Sequence, residues 1–299
     1  MSLERDNPLL EQTLAEMERR YPFLPMEGSG FRELIVNGER LGYLNERFYA
    51  LAQADWTGMC EETGRGLSLK TADWRAAGEL LEKTAWGWIE RGAYDGWRNE
   101  RFMCRDGQGR ALFALERSAF RPLGLMSRAA HVNGAAIGRE ASGERVCKLW
   151  IAKRSPDKAV DPNKLDDMVG GGVAFDETPL QAAKREAFEE AGIEPGLLAD
   201  LREQGLCVSR RPVRHGLHRE YMHLHTFFAP PDFKPRNRDG EVAGFRLLGA
   251  EEIMRLICDG SFMSDAAMSS LQCLLALGEI PESGLADWLR RRMGMREGD

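Results

Sequence analysis

Hydrophobic and polar positions alternate with a period of two in several short stretches and recur at helical spacing in others. Phe31 to Val36, Asn37-Gly38 and Glu39 to Tyr43 read as a hairpin with a tight type I′ turn, since Asn-Gly accepts positive φ at both central positions. Thr71 to Gly92 reads as a capped amphipathic helix, and Asp106-Gly107 separates two further strand candidates. From about Arg128 the pattern becomes strands around one helix. Ala130 to Ile137, Val146 to Ala152 and Asp167 to Gly172 are strand candidates before that helix, and Gly205 to Ser209 and Tyr221 to Phe228 follow it. Two helices are predicted near the end, Ala250 to Asp259 and Asp265 to Leu277. The pattern predicts an α/β (α+β) protein with two domains, residues 1–122 and 123–299, and shows no internal repeat or low-complexity linker.

Composition sharpens that division. Before residue 122 there is no histidine, yet five of the seven tryptophans lie there, which suits packing or recognition better than catalysis. Trp74, Trp86, Trp88 and Trp97 are read as core, with a stacking surface for a flat ring as the alternative. A net charge of −6 argues against DNA or RNA as the main partner. No apolar run approaches a membrane span, and the N-terminus is mixed rather than signal-like. Six scattered cysteines without a CxxC pair read as reduced thiols in a cytoplasmic protein.

The densest chemistry lies between Gly171 and Ile193. Thr178 is a good N-cap, Pro179 suits the first helical position, Gln181 completes a capping box, and Gly192 is a natural stop. Within that helix Glu186, Glu189 and Glu190 stand at i, i+3 and i+4 and share one face. Arg185 pairs with Glu189 at i+4, but one cation cannot neutralise three anions. An oxygen-only cluster of this kind calls for a hard divalent cation, Mg²⁺ or Mn²⁺, rather than zinc. Seven fixed identities (Gly171, Glu177, Arg185, Glu186, Glu189, Glu190, Gly192) would coincide by chance on the order of 10⁻⁸ per starting position.

Gly171, Glu177 and the run Arg185-Glu186-Ala187-Phe188-Glu189-Glu190-Ala191-Gly192-Ile193 resemble a complete Nudix box. That family hydrolyses a diphosphate linked to another moiety, and the resemblance implies a mixed-sheet α/β/α sandwich, here with a smaller α+β N-terminal domain. It also implies that Glu186 and Glu190 are the core metal ligands and Glu189 a further ligand or base. Gly170 would offer a backbone carbonyl, and Arg185, with Glu177, would orient the glutamates. Glu241, in Asp239-Gly240-Glu241-Val242, resembles the acidic residue that Nudix domains bring from a later loop, as ligand or general base. Lys148 to Ser155 and Lys164 to Val169 further resemble a subgroup with an N-terminal domain of uncharacterised role, related to the Nudix region of fungal thiamine pyrophosphokinase fusions. That likeness implies thiamine diphosphate or its oxidised analogues as substrate.

Lys153, Arg154 and Arg210 are candidate phosphate contacts among the cations on either side of the box. His223 and His225 alternate along a strand and are read as strand-face residues, not as a zinc site. The expected partner is a small diphosphate, with no nucleic acid and no membrane, and capping the site or homodimerisation are roles open to the N-terminal domain. The alternatives are a Nudix module that binds without hydrolysing and, behind it, an isopentenyl-diphosphate isomerase. The latter lacks its cysteine, because the strand before the box reads Met168-Val169-Gly170-Gly171.

Overall fold

Asn37 and Gly38 both take positive φ, 50° and 87°, and there the chain reverses between β1 (Arg32–Val36) and β2 (Glu39–Leu44), as the Asn-Gly pair predicts. The computed structural model describes residues 4–22, 29–158 and 160–294. β1 also pairs in parallel with β4 (Gly66–Leu69), which carries β3 (Cys60–Glu62) on its other edge. Helices α2 (Glu46–Asp55) and α3 (Trp74–Glu90) and the hairpin β5 (Arg101–Arg105)–β6 (Ala111–Glu116) complete this region. Its core holds Leu34, Leu44, Phe48, Trp56, Leu81 and Trp88, all fully buried. Trp88 is therefore core as predicted, whereas Trp86 is 46% exposed and stands edge-on to Trp97 at 4.8 Å.

The second sheet has the order β11 (Arg202–Val213), β12 (Gly216–Phe228), β7 (Ser127–Arg139), β8 (Arg145–Arg154), β13 (Val242–Leu248). β7 and β12 run parallel and the other neighbours antiparallel. One edge of β7 is shared: its first half pairs with β10 (Val169–Gly172) and its second half with β8, while β9 (Leu165–Asp166) adds to β8. The strand expected at 167–172 begins only at Val169, after the buried Asp167 and Met168, which separate it from β9. The apolar stretch that follows Asp239-Gly240-Glu241 forms the edge strand β13.

This sheet lies between two helical layers. On one face α4 (Pro179–Ala191) sets Ala182, Ala183, Ala187 and Ala191 against Ala130, Val132 and Phe227. Four alanines at helical spacing let the helix backbone approach the sheet closely. On the other face α5 (Ala250–Cys258), α6 (Ser264–Ala276) and α7 (Gly284–Arg292) cover Leu149, Ile151, Met222 and Leu224. The helix α1 (Pro8–Arg20) joins this layer: Leu9, Leu10 and Met17 are buried in its core. Sequence pattern did not predict α1, α2 or α7. α2 and α7 are short, at 10 and 9 residues, and α1 and α7 carry only a narrow apolar stripe among polar and charged residues.

The two regions touch directly. Arg219 of β12 is buried and donates to the carbonyls of Leu41 and Gly124, its guanidinium 4.7 Å from the centre of the Tyr43 ring. The amide of Phe175, in the loop before α4, donates to the Arg101 carbonyl at 2.9 Å. Among the described residues no helix is long and apolar enough to cross a membrane.

Candidate active site

The helix α4 starts where its capping chemistry dictates. The Thr178 hydroxyl accepts from the Gln181 amide, the Gln181 side chain accepts from the Thr178 amide, and Gly192 closes the helix in the left-handed region at φ 64°. That register aims Glu186 and Glu190 at β10. The Glu190 carboxylate accepts from the Gly170 amide at 3.0 Å, and a Cβ on Gly171 would stand 2.0 Å from Oε1 of Glu186. Gly171 is therefore glycine because the Glu186 carboxylate occupies the space a side chain would fill. Gly171→Ala is expected to displace that carboxylate, lowering divalent-cation affinity about 10-fold or more with little change in melting temperature. Calorimetric titration and thermal denaturation of the variant check both.

Arg185 organises the carboxylates. Its Nε and Nη2 donate to Glu177 at 2.6 and 2.9 Å, and Nη1 donates to Glu186 at 2.8 Å and to Glu189 at 3.1 Å. The expected link between Arg185 and Glu177 is present, and it holds the Glu177 carboxyl below its ordinary range. Glu189 lies partly open to solvent on Arg185, apart from the buried Glu190.

Glu190 is 5% exposed. Burial, with the Glu186 charge beside it, pushes its carboxyl up to about 8, and burial also raises Glu186. Glu190, Asp239 and Glu241 each bring an oxygen within 4.8 Å of the others. The Lys158 ammonium lies between them, paired with Glu241 and 3.6 Å from Glu190 Oε1. The loop before β13 thus places Glu241 at the box. Asp239 and Lys158 stand there too, and a spacing signal carried by the helix alone has no means of marking them. A buried carboxylate whose ionisation is opposed by burial and by the neighbouring Glu186 charge fits a hard divalent cation, and Glu186, Glu190, Glu241 and Asp239 are the residues that would hold it. Gly170 meets this cluster through its amide, donated to Glu190.

The predicted phosphate contacts are distributed differently. Arg154 is committed to structure: it donates to Asp166 at 2.5 Å and to the carbonyls of Val160 and Asp161, closing the 155–164 loop. Lys153 shares the strand face of Leu149 and Ile151, which pack toward α5 and α6, so the pleat turns it away from α4. Arg210 lies four residues along β11 from Leu206, which aligns through His223 with Ala130 beneath the box, and so sits toward the N-terminal region.

Sequence reading also passed over a buried pair beneath β10. His131 Nδ1 is 2.9 Å from Asp167 Oδ2, and both side chains are almost wholly enclosed. Burial works against a charged imidazole there, but the Asp167 carboxylate outweighs it and holds His131 up to about 10. The pair supports β10 directly under Gly170, since a Cβ on Gly170 would meet Asp167 at 3.2 Å and His131 at 3.4 Å.

Residues 131–265 match the model of the NUDIX domain. The chain carries a NUDIX domain. It is 35% identical over 214 residues to Nudix hydrolase 24, chloroplastic, of Arabidopsis thaliana, covering 70% of this chain and 56% of that protein. It is 30% identical over 207 residues to Nudix hydrolase 20, chloroplastic, of the same plant, covering 68% of this chain and 54% of that protein. The chain therefore spans about half the length of these curated relatives. Among solved structures it is similar to DR0079 from Deinococcus radiodurans, at 24% identity and a TM-score of 0.34 over 64% of this chain and 99% of that one. The assignment rests on the sequence match, and the NUDIX segment contains β10, the box helix α4 and the Asp239–Glu241 loop.

Proposed function

We propose that this chain hydrolyses a diphosphate linkage in a small phosphorylated metabolite, using a divalent cation held by Glu186 and Glu190 with Glu241 and Asp239 beside them. One observation carries the reading: buried Glu190 is fixed by the Gly170 amide with the carboxylates of Asp239 and Glu241 within 4.8 Å, and burial together with the Glu186 charge opposes its ionisation. Magnesium or manganese bound there would supply charge neutralisation for the diphosphate and a more acidic water. The chain's own residues do the positioning. Arg185 locks Glu186 and Glu189 in place, and Glu189 Oε1, which Arg185 leaves free, is a solvent-facing acceptor for a proton from the attacking water. Glu241, with an oxygen within 4.8 Å of Glu190, is the second such acceptor.

The resemblance of the 148–169 segment supports thiamine diphosphate or its oxidised analogues as the substrate class, released of a terminal phosphate. Two readable features support a reducing, cytoplasmic setting: the cysteines are unpaired, and four of the six are buried. A product screen over thiamine diphosphate analogues, dinucleotides, nucleoside-diphosphate sugars and isoprenoid diphosphates tests both levels. At least one class is expected to yield phosphate or a monophosphate with magnesium and none with EDTA. Turnover of another class with every thiamine compound inert would overturn the substrate assignment, and no turnover of any would overturn hydrolysis.

A further inference from the structure

The α4 face of the sheet continues past the box carboxylates into a patch of opposite charge. Ala130 aligns with Gly171, over which Glu186 sits, and Arg128 lies two residues further along β7 on the same face, about 7 Å away. Among the described residues the Arg128 guanidinium has no carboxylate partner: burial, followed by repulsion from Arg105, lowers its affinity for its proton. Arg105 comes from β5 of the N-terminal region. Its Nη1 donates to the Gly109 carbonyl at 3.0 Å, its Nε is buried without a hydrogen-bond partner, and Arg128 Nη2 would stand 3.7 Å from a Cβ on Gly109. The two guanidinium groups thus flank one glycine. On β12, His223 aligns with Ala130, and its Nε2 is also buried without a partner.

Two cations set against the same glycine and partly removed from water are unfavourable unless an anion joins them. The β5–β6 hairpin and the start of β7 hold them there nonetheless, with Arg105 Nε and His223 Nε2 buried without a hydrogen-bond partner. Guanidinium forks match the geometry of phosphate oxygens.

We propose that Arg105 and Arg128, with His223 beside them, form a phosphate-binding subsite shared between the N-terminal region and the NUDIX domain. As a place for substrate it rests on the diphosphate reading above, and its ligand is a phosphoryl group of the substrate. Two sources share that chemistry: a phosphoryl of the scissile diphosphate, or a separate phosphomonoester carried elsewhere on the same molecule. The subsite gives the N-terminal region a function, because Arg105 reaches the substrate from outside the NUDIX fold.

The test is binding of inorganic phosphate to the full chain in EDTA, followed by calorimetry or phosphorus NMR, so that neither metal nor turnover enters. Wild type is expected to bind, Arg128→Met and Arg105→Gln to bind at least 10-fold more weakly, and Glu190→Gln to bind as wild type does. Removal of an unpaired cation is expected to leave the melting temperature of Arg128→Met unchanged or raised, whereas a purely structural arginine would lower it. A second arm adds methylenediphosphonate with magnesium. Release of phosphate assigns the subsite to the diphosphate itself, and retention assigns it to a separate phosphomonoester. Absence of phosphate binding by wild type, or equal binding by the Arg105→Gln/Arg128→Met double variant, would overturn the proposal while leaving hydrolysis at the box untouched.

Discussion

Glu190→Gln is expected to lower turnover of any diphosphate substrate by about 10²-fold or more while leaving the fold intact. The amide keeps an oxygen to accept the Gly170 N–H, so the link between α4 and β10 survives. What it removes is the negative charge at the centre of the carboxylate cluster. The direction of the stability change is a check on this account. In the absence of metal the Glu190 carboxyl is pushed up to about 8, so the stability it allows is complete below its ordinary value of 4.5 and is lost as pH rises toward 8. At pH 8 in EDTA, Glu190→Gln should therefore melt at or above the wild-type temperature. A variant with full activity, or one that unfolds, would contradict the role assigned to this residue.

Asp265→Ala is expected to destabilise the protein by about 3–5 kcal/mol, the cost of stranding a buried charge. Asp265, near the start of α6, is 3% exposed. It accepts from Arg211 at 2.6 and 2.7 Å, from Ser209 at 2.7 Å and from Tyr21 at 3.1 Å. This one carboxylate therefore ties together α6, β11 and the residue that ends α1. Burial would raise its pKa, but Arg211 and His218 outweigh burial and hold it well below the ordinary value of 3.8. With a depressed folded pKa, its contribution is present above about pH 4 and is lost as pH falls further. The gap between wild type and Asp265→Asn in urea denaturation should accordingly narrow as pH drops below 4. A loss of under about 1 kcal/mol in Asp265→Ala would refute the anchoring role.

Elements with strong local chemistry were legible in the sequence. Asn37-Gly38 prescribes its turn, and Thr178, Pro179, Gln181 and Gly192 set both ends of α4 to within a residue. The box face follows from helical spacing, whereas the link from Arg185 to Glu177, which precedes the helix, was implied only by the Nudix resemblance. Tertiary placement did not: Lys153 and Arg154 adjoin the box in sequence, but pleat alternation turns one away and the Asp166 carboxylate captures the other. Lys158, Asp239, His131 and Asp167 enter the site through loops and strand pairing, which leave no periodic mark. The helix α1 packs with α5 and α7 at the opposite end of the chain, a contact no local pattern encodes.

The proposed hydrolysis requires the carboxylates of α4 and of the Asp239–Glu241 loop to form one site for a divalent cation. Titration of the full chain with manganese, read by electron paramagnetic resonance, tests this without any substrate. Wild type should bind the ion more tightly at pH 8 than at pH 6, because Glu190 must give up its proton. Glu186→Gln, Glu190→Gln and Glu241→Gln should each weaken binding by about 10-fold or more. Equal manganese affinity in wild type and all three variants would contradict the account.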